Sequence, residues 1–208
     1  MESKIHFIRH GITEGITKGW FYGGLDIPLV QEGIDDIKKL VVSGIYPSCE
    51  DAVIYTSGML RANQTLENIY GNLSFEVIKD FEEFKFGRLE GKTFHELKDD
   101  EDFKRFTGSG DNEYIIPGGE SKLMFAERVD AGWKKLIGLH QLKELSHRHS
   151  GLPATSIVVC HGGVIGYILW MLFEEDKETR TMYDWIPDPA HGFTISVKDG
   201  KAVDFIEF

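Results

Sequence analysis

Cysteine, positive charge and long apolar runs are all scarce in this sequence. Its two cysteines, Cys49 and Cys160, are too few for a disulfide framework, and neither has the C-x-x-C spacing of a metal or redox site. Basic residues number 23 against 34 acidic ones, a formal charge of −11. That deficit opposes nonspecific binding to nucleic acid or to an anionic membrane, both of which repel an acidic chain at long range. No window reaches the ~18 consecutive apolar residues of a membrane span. The most apolar stretch, Ser156 to Phe173, is broken by Cys160-His161-Gly162-Gly163. The start, Met1-Glu2-Ser3-Lys4, leads into a short apolar run without a long hydrophobic signal region. The expected location is cytoplasmic.

What is present fits an ordinary globular protein. The 208 residues are 41% hydrophobic, 12% aromatic and 27% charged, which excludes a disordered chain, a collagen or a coiled-coil rod. At this length one domain buries roughly 70% of the surface its unfolded chain exposes. One domain over 1–208 is expected, with 80–119 as a cap or insertion segment of short helices. The acidic run within it, Lys98-Asp99-Asp100-Glu101-Asp102, reads as a solvated face. Residues 93–116 are expected to roof the pocket and set specificity.

Short β-branched runs mark strands at Lys4–Ile8, Ala52–Tyr55, Phe75–Ile78 and Ser156–Cys160. Helical spacing marks Gln31–Val42, Met59–Tyr70, a long helix from Ser121 stopped at Ser150-Gly151-Leu152-Pro153, and Gly163–Phe173. Gly15, Gly19, Gly23 and Gly24 read as a loop, and Phe193–Val197 with Ala202–Ile206 as a hairpin across an Asp-Gly turn. Apolar strands alternating with helices predict an α/β fold. It has three layers, α/β/α, with a mostly parallel central sheet, helices on both faces, the C-terminal β-hairpin and the mid-chain cap.

Ligands of such sheets bind beyond the C-terminal ends of the strands. Three of those ends carry Arg9-His10-Gly11, Thr56-Ser57 with Arg61, and His161-Gly162. A strand-end histidine can be a satisfied core residue, a metal ligand or a nucleophile. Arg9 beside His10 disfavours imidazole protonation and keeps one nitrogen free. Two arginines repel a cation, and no carboxylate-rich cluster accompanies them, so no metal is expected. Guanidinium groups suit phosphoryl oxygens. The chain has no G-x-x-x-x-G-K-[ST], H-E-x-x-H or G-x-S-x-G motif. Cys160 lacks the downstream arginine loop of a cysteine phosphatase and reads as a buried hydrophobe. His147-x-His149 reads as an exposed turn.

Six blocks in order resemble the histidine phosphatase (phosphoglycerate mutase-like) superfamily, compact phosphatase branch. They are Phe7-Ile8-Arg9-His10-Gly11-Ile12-Thr13-Glu14, Gly24 to Leu29, Tyr55-Thr56-Ser57 with Leu60 to Thr65, Glu83 to Gly91, Pro117 to Ser121, and Cys160 to Gly163. The resemblance implies that His10 is the nucleophile that becomes phosphohistidine. It implies that Arg9, Arg61, His161 and Gly162 hold the phosphoryl group. It makes Glu83, four residues before Gly87, the proton donor to the leaving alcohol, and assigns Thr13, Gly23 and Gly24 to substrate binding. Glu90 is expected to be structural. No cofactor is implied, and the partner is a small-molecule phosphate ester.

The same resemblance leaves two alternatives: a cofactor-dependent phosphoglycerate mutase, and a non-catalytic phospholigand-binding module. The chain departs from the family where Gly15-Ile16 replaces a common Trp-Asn and Trp20 replaces an arginine. Two polar first-loop contacts become apolar, which suggests a less polar leaving group, aromatic or nucleoside-like.

Overall fold

The computed structural model describes residues 3–108, 110–147, 152–173 and 179–208. Along the chain the strands are β1 (Ser3–Arg9), β2 (Trp20–Phe21), β3 (Val53–Thr56), β4 (Glu76–Val77), β5 (Lys92–Thr93), β6 (Thr155–Cys160), β7 (Gly192–Lys198) and β8 (Lys201–Glu207). The helices are α1 (Glu14–Lys18), α2 (Gln31–Ser43), α3 (Leu60–Tyr70), α4 (Phe94–Leu97), α5 (Glu101–Thr107), α6 (Lys122–His147) and α7 (Gly162–Leu172). The central sheet runs β4-β3-β6-β1-β7-β8. Its β4, β3, β6 and β1 are mutually parallel, and the β7–β8 hairpin joins β1 antiparallel. The mostly parallel α/β/α architecture is the one the periodicity predicts.

Side-chain alternation along β1 builds both layers. Ile5 and Phe7 enter the cluster formed with Phe125, Val129 and Trp133 of α6 and Val164 and Ile168 of α7. Ile8 faces the other way, with Ile54, Ile157 and Val159 against Ala62 and Leu66 of α3. On α2, Ile37 packs with Leu29 and Ala190. The hairpin turn has φ of 52° at Asp199 and 73° at Gly200, the left-handed pair that an Asp-Gly connection supplies.

Two expectations need correction. The first glycine loop contains a helix, α1, which Gly19 ends at φ 64° with its amide bonded to the Ile16 carbonyl. The acidic run is more than a solvated face. Asp100 accepts the amides of Asp102 and Phe103 as the N-cap of α5, and Arg88 binds both Asp100 and Asp102. Side chains of 80–119, among them Phe81, Phe84, Leu97 and Phe106, belong to the same cluster as the sheet and α6. Ser109, which a Gly108-Ser109-Gly110 run marks as a turn, the helix stop at Ser150-Gly151 and His149 lie outside the described residues.

Candidate active site

Register brings the predicted residues together. Arg9 pairs with Cys160 across β1 and β6, and Thr56 pairs with Val159 across β3 and β6. The residues after these positions therefore emerge side by side. His10 donates its amide to the Cys160 carbonyl at 2.9 Å, and the His10 and His161 rings lie 5.2 Å apart. Arg61 follows from the first turn of α3 and is fully buried.

Hydrogen bonding fixes which nitrogen of His10 holds the lone pair. Its Nδ1 lies 2.7 Å from the Gly11 carbonyl, which can only accept, so Nδ1 carries the proton and Nε2 the lone pair. Burial, then Arg61 and Arg9, hold the His10 pKa well below the ordinary value. The ring stays neutral. His161 is also held well below its ordinary value, by burial and then Arg61 and His10. Ser57 Oγ sits 2.8 Å from His161 Nε2 and accepts the Met59 amide, which leaves its hydroxyl hydrogen free to donate to Nε2. With that bond in place the neutral His161 ring carries its proton on Nδ1.

Three donors around His10 lack partners. Arg9 Nε, Arg61 Nε and His161 Nδ1 are buried with no hydrogen-bond partner among the described residues. Arg9 Nη1 donates to the Pro187 carbonyl at 2.7 Å, and Arg61 uses both Nη atoms, on the Leu25 and Gly23 carbonyls at 2.8 and 2.9 Å. An unsatisfied buried donor costs about 1–3 kcal/mol, so an anion that accepts from all three is strongly favoured here. Gly162 opens α7 beside this group, where a Cβ would come within 3.1 Å of Arg9 Nε.

Glu83 completes the ring of predicted residues. Its Oε1 accepts the Phe84 amide and its Oε2 the Gly163 amide, both at 2.9 Å. A side chain at 163 would strike the carboxylate at 2.5 Å. The residues assigned to substrate binding contact protein groups. Thr13 Oγ1 lies 2.6 Å from the Tyr22 hydroxyl, Gly23 accepts from Arg61, and Gly24 donates to Glu90. Glu90 also accepts the Leu25 and Phe86 amides, tying the glycine loop to the segment that carries Glu83. Cys160 is wholly buried, with its thiol pKa raised by that burial.

Sequence reasoning assigned no role to Ser57, Tyr22, Glu120 or Arg128. Arg128 uses all five N–H groups: two on the Glu120 carboxylate, two on the Asp80 and Glu82 carbonyls, one on the Glu83 carbonyl. It thereby fixes the backbone that presents Glu83. Its signal was weak, a glutamate and an arginine eight residues apart at the start of α6.

The model of the histidine phosphatase superfamily (branch 1) matches residues 5–203. The chain belongs to this superfamily. The probable phosphoglycerate mutase GpmB of Salmonella typhi is 25% identical over 169 residues, 80% of this chain and 73% of that protein. A phosphoglycerate mutase structure from Thermus thermophilus is 27% identical, with TM-score 0.63 over 99% of this chain and 98% of that one. A putative alpha-ribazole-5'-P phosphatase from Escherichia coli has the same fold, with TM-score 0.74 at 22% identity over 97% and 93% of the two chains.

In this histidine phosphatase superfamily member, a cavity of about 690 Å³ opens beside Glu83 and Gly163. Phe106 and Asn112 bring the segment 93–116 to its wall. Among the described residues no cluster of metal-binding side chains occurs, and no helix is long and apolar enough to cross a membrane.

Proposed function

We propose that the chain hydrolyses small-molecule phosphate monoesters through a phosphohistidine at His10. The observation that carries this reading is the neutral His10 ring, its Nε2 unprotonated, set among Arg9 Nε, Arg61 Nε and His161 Nδ1, which have no partner among the described residues. Nε2 attacks phosphorus, the bond from phosphorus to the ester oxygen breaks, and the Glu83 carboxyl gives its proton to the departing alkoxide. Water then attacks phosphorus and returns a proton to Glu83. The phosphorus–nitrogen bond breaks, its electrons return to Nε2, and phosphate leaves. Arg9, Arg61 and the Nδ1–H of His161 bind the phosphoryl oxygens and stabilise the charge that grows on them. Such donors supply positive charge without a metal.

A mutase reading has its own support, because the relatives at 25% and 27% identity are named phosphoglycerate mutases. Such a reaction retains a carboxylate-bearing three-carbon acid between transfers. The cavity beside Glu83 is lined by eight aromatic residues, and its two cations, Lys122 and Arg180, each lie over a ring; that lining favours release of the alcohol. Phosphate release and isomerisation of 3-phosphoglycerate measured side by side separate the two. Release is expected to dominate across a panel of esters, and isomerisation outrunning release reverses the assignment.

A further inference from the structure

We propose that the cavity beside Glu83 receives the leaving group, and that the released alcohol is a small molecule carrying a flat aromatic ring system. This rests on the hydrolase reading above and names the substrate class of that same site.

Position comes first. Glu83 and Gly163 line the cavity, so the oxygen that Glu83 protonates opens onto it. Whatever that oxygen is attached to extends between the walls.

The walls are rings. Phe84, Phe86, Phe106 and Phe125 form a continuous patch with centroids 4.8 to 5.6 Å apart. Their planes meet at 44 to 83°; Phe84, Phe106 and Phe125 are buried and form the floor, while the more accessible Phe86, Tyr167, Trp170 and Tyr183 also line the cavity. An aromatic guest gains from that geometry beyond the area it buries, whereas an aliphatic chain gains only the area. Asn112 and Thr181 supply a few polar groups, the sparse kind that orients a ring bearing heteroatoms. The lining cations Lys122 and Arg180 lie over the Phe106 and Trp185 rings. A sugar acid placed here leaves several hydroxyls facing carbon.

Tyr22 joins the two sites, and Gly15 makes room for it. A Cβ at position 15 would lie 2.5 Å from two Tyr22 ring carbons. The ring so admitted stands under the Arg61 guanidinium at 5.3 Å and lines the cavity as well. The departure at Gly15 thus admits another ring beside the phosphoryl site.

The test uses esters that share a primary alkyl leaving oxygen: adenosine 5'-monophosphate, ribose 5-phosphate and octyl phosphate. The first two differ at C1', where one carries the adenine ring and the other the anomeric hydroxyl. We expect kcat/KM for the adenosine ester to exceed that for the ribose ester by roughly 10- to 100-fold, the effect of burying one aromatic ring. Tyr183 lines the cavity yet is 66% exposed, so Tyr183→Ala does not threaten folding and should lower that ratio. Phe106→Ala should lower it further. Equal efficiency across the three esters overturns the ring pocket while leaving hydrolysis in place. Octyl phosphate matching the adenosine ester overturns the aromatic assignment, and a phosphotyrosine peptide surpassing it overturns the small-molecule one. Phosphate release from none of them, with the adenosine ester still bound in preference, overturns the hydrolase reading instead.

Discussion

Strands β1 and β6 carry buried histidine chemistry at both of their ends, and the two ends differ in one respect. At the C-terminal ends stand His10 and His161. At the N-terminal ends, His140 bonds through Nδ1 to Ser156 Oγ and through Nε2 to Ser3 Oγ, each at 2.8 Å. Ser3 donates its hydrogen to Glu144, so it accepts from His140 Nε2–H, and His140 Nδ1 accepts from Ser156. His10, His161 and His140 are all buried, and in each case burial lowers the pKa. Burial and lowered basicity therefore do not mark function. The difference is in partners. His140 has both ring nitrogens bonded, whereas His161 Nδ1 and two neighbouring guanidinium Nε atoms have none among the described residues. One end is a closed network and the other leaves buried nitrogens open, as the proposed phosphoryl site requires.

The largest expected effect tests the open end. Replacing His10 by alanine removes the attacking nitrogen, and kcat should fall by about 10⁴ or more, as with other covalent nucleophiles. Quenched-flow labelling with a radiolabelled ester should give an acid-labile phosphoenzyme on the unmodified protein and none on H10A. Activity equal to the unmodified protein would end the assignment of that site. The acid limb of the pH profile reports the same ring. Because its pKa is lowered, activity should persist as pH falls through 6.5, and a limb at or above that value contradicts the neutral His10.

A smaller effect is expected at His161. His161→Ala leaves the nucleophile but deletes one phosphoryl donor, a loss of ~10² to 10³ in kcat. Inorganic phosphate should also inhibit the variant more weakly, since it uses the same Nδ1–H. Unchanged inhibition would show that His161 is structural in the manner of His140, and the contrast between the two ends would disappear.

Legibility in the sequence divides along the same line. Strand ends are readable because an apolar run that stops at Arg9-His10 or at His161-Gly162 says where polar side chains emerge. The parallel order was implied by helices intervening between such runs. The Tyr22–Gly15 packing was not readable, because it depends on two residues of one loop meeting in space. Nor was Arg128, whose partners Asp80, Glu82 and Glu83 are 45 to 48 positions away in the chain. Asp100 shows another kind of miss. Charge runs average to solvated faces, but a single carboxylate at an N-cap is decided by two local amides. The aromatic walls drew on segments from Tyr22 to Tyr183, and no single window contained their pattern.

The smallest effect belongs to the closed end, where only stability should change. His140→Ala leaves Ser3 and Ser156 without their ring partner in a buried setting, which costs about 1–3 kcal/mol for each group left unsatisfied. Urea unfolding should show that loss, while kcat/KM stays as in the unmodified protein because the ring lies at the opposite end of β1 and β6 from His10. The pH dependence supplies a second readout, and its sign follows from the lowered pKa. Below pH 6.5 the unfolded histidine takes up a proton that the folded one refuses, so His140 stabilises the protein above pH 6.5 and loses that contribution as pH falls. One such group gives a slope of about 1.4 kcal/mol per pH unit while only the unfolded form is charged. His140→Ala should flatten the acid slope by up to that amount. His6, buried beside Thr194 with its pKa lowered to about 4, keeps part of the slope in the variant. A variant that loses turnover yet keeps its slope would mean that the two ends of β1 and β6 are coupled, and that a bonded histidine is not a silent one.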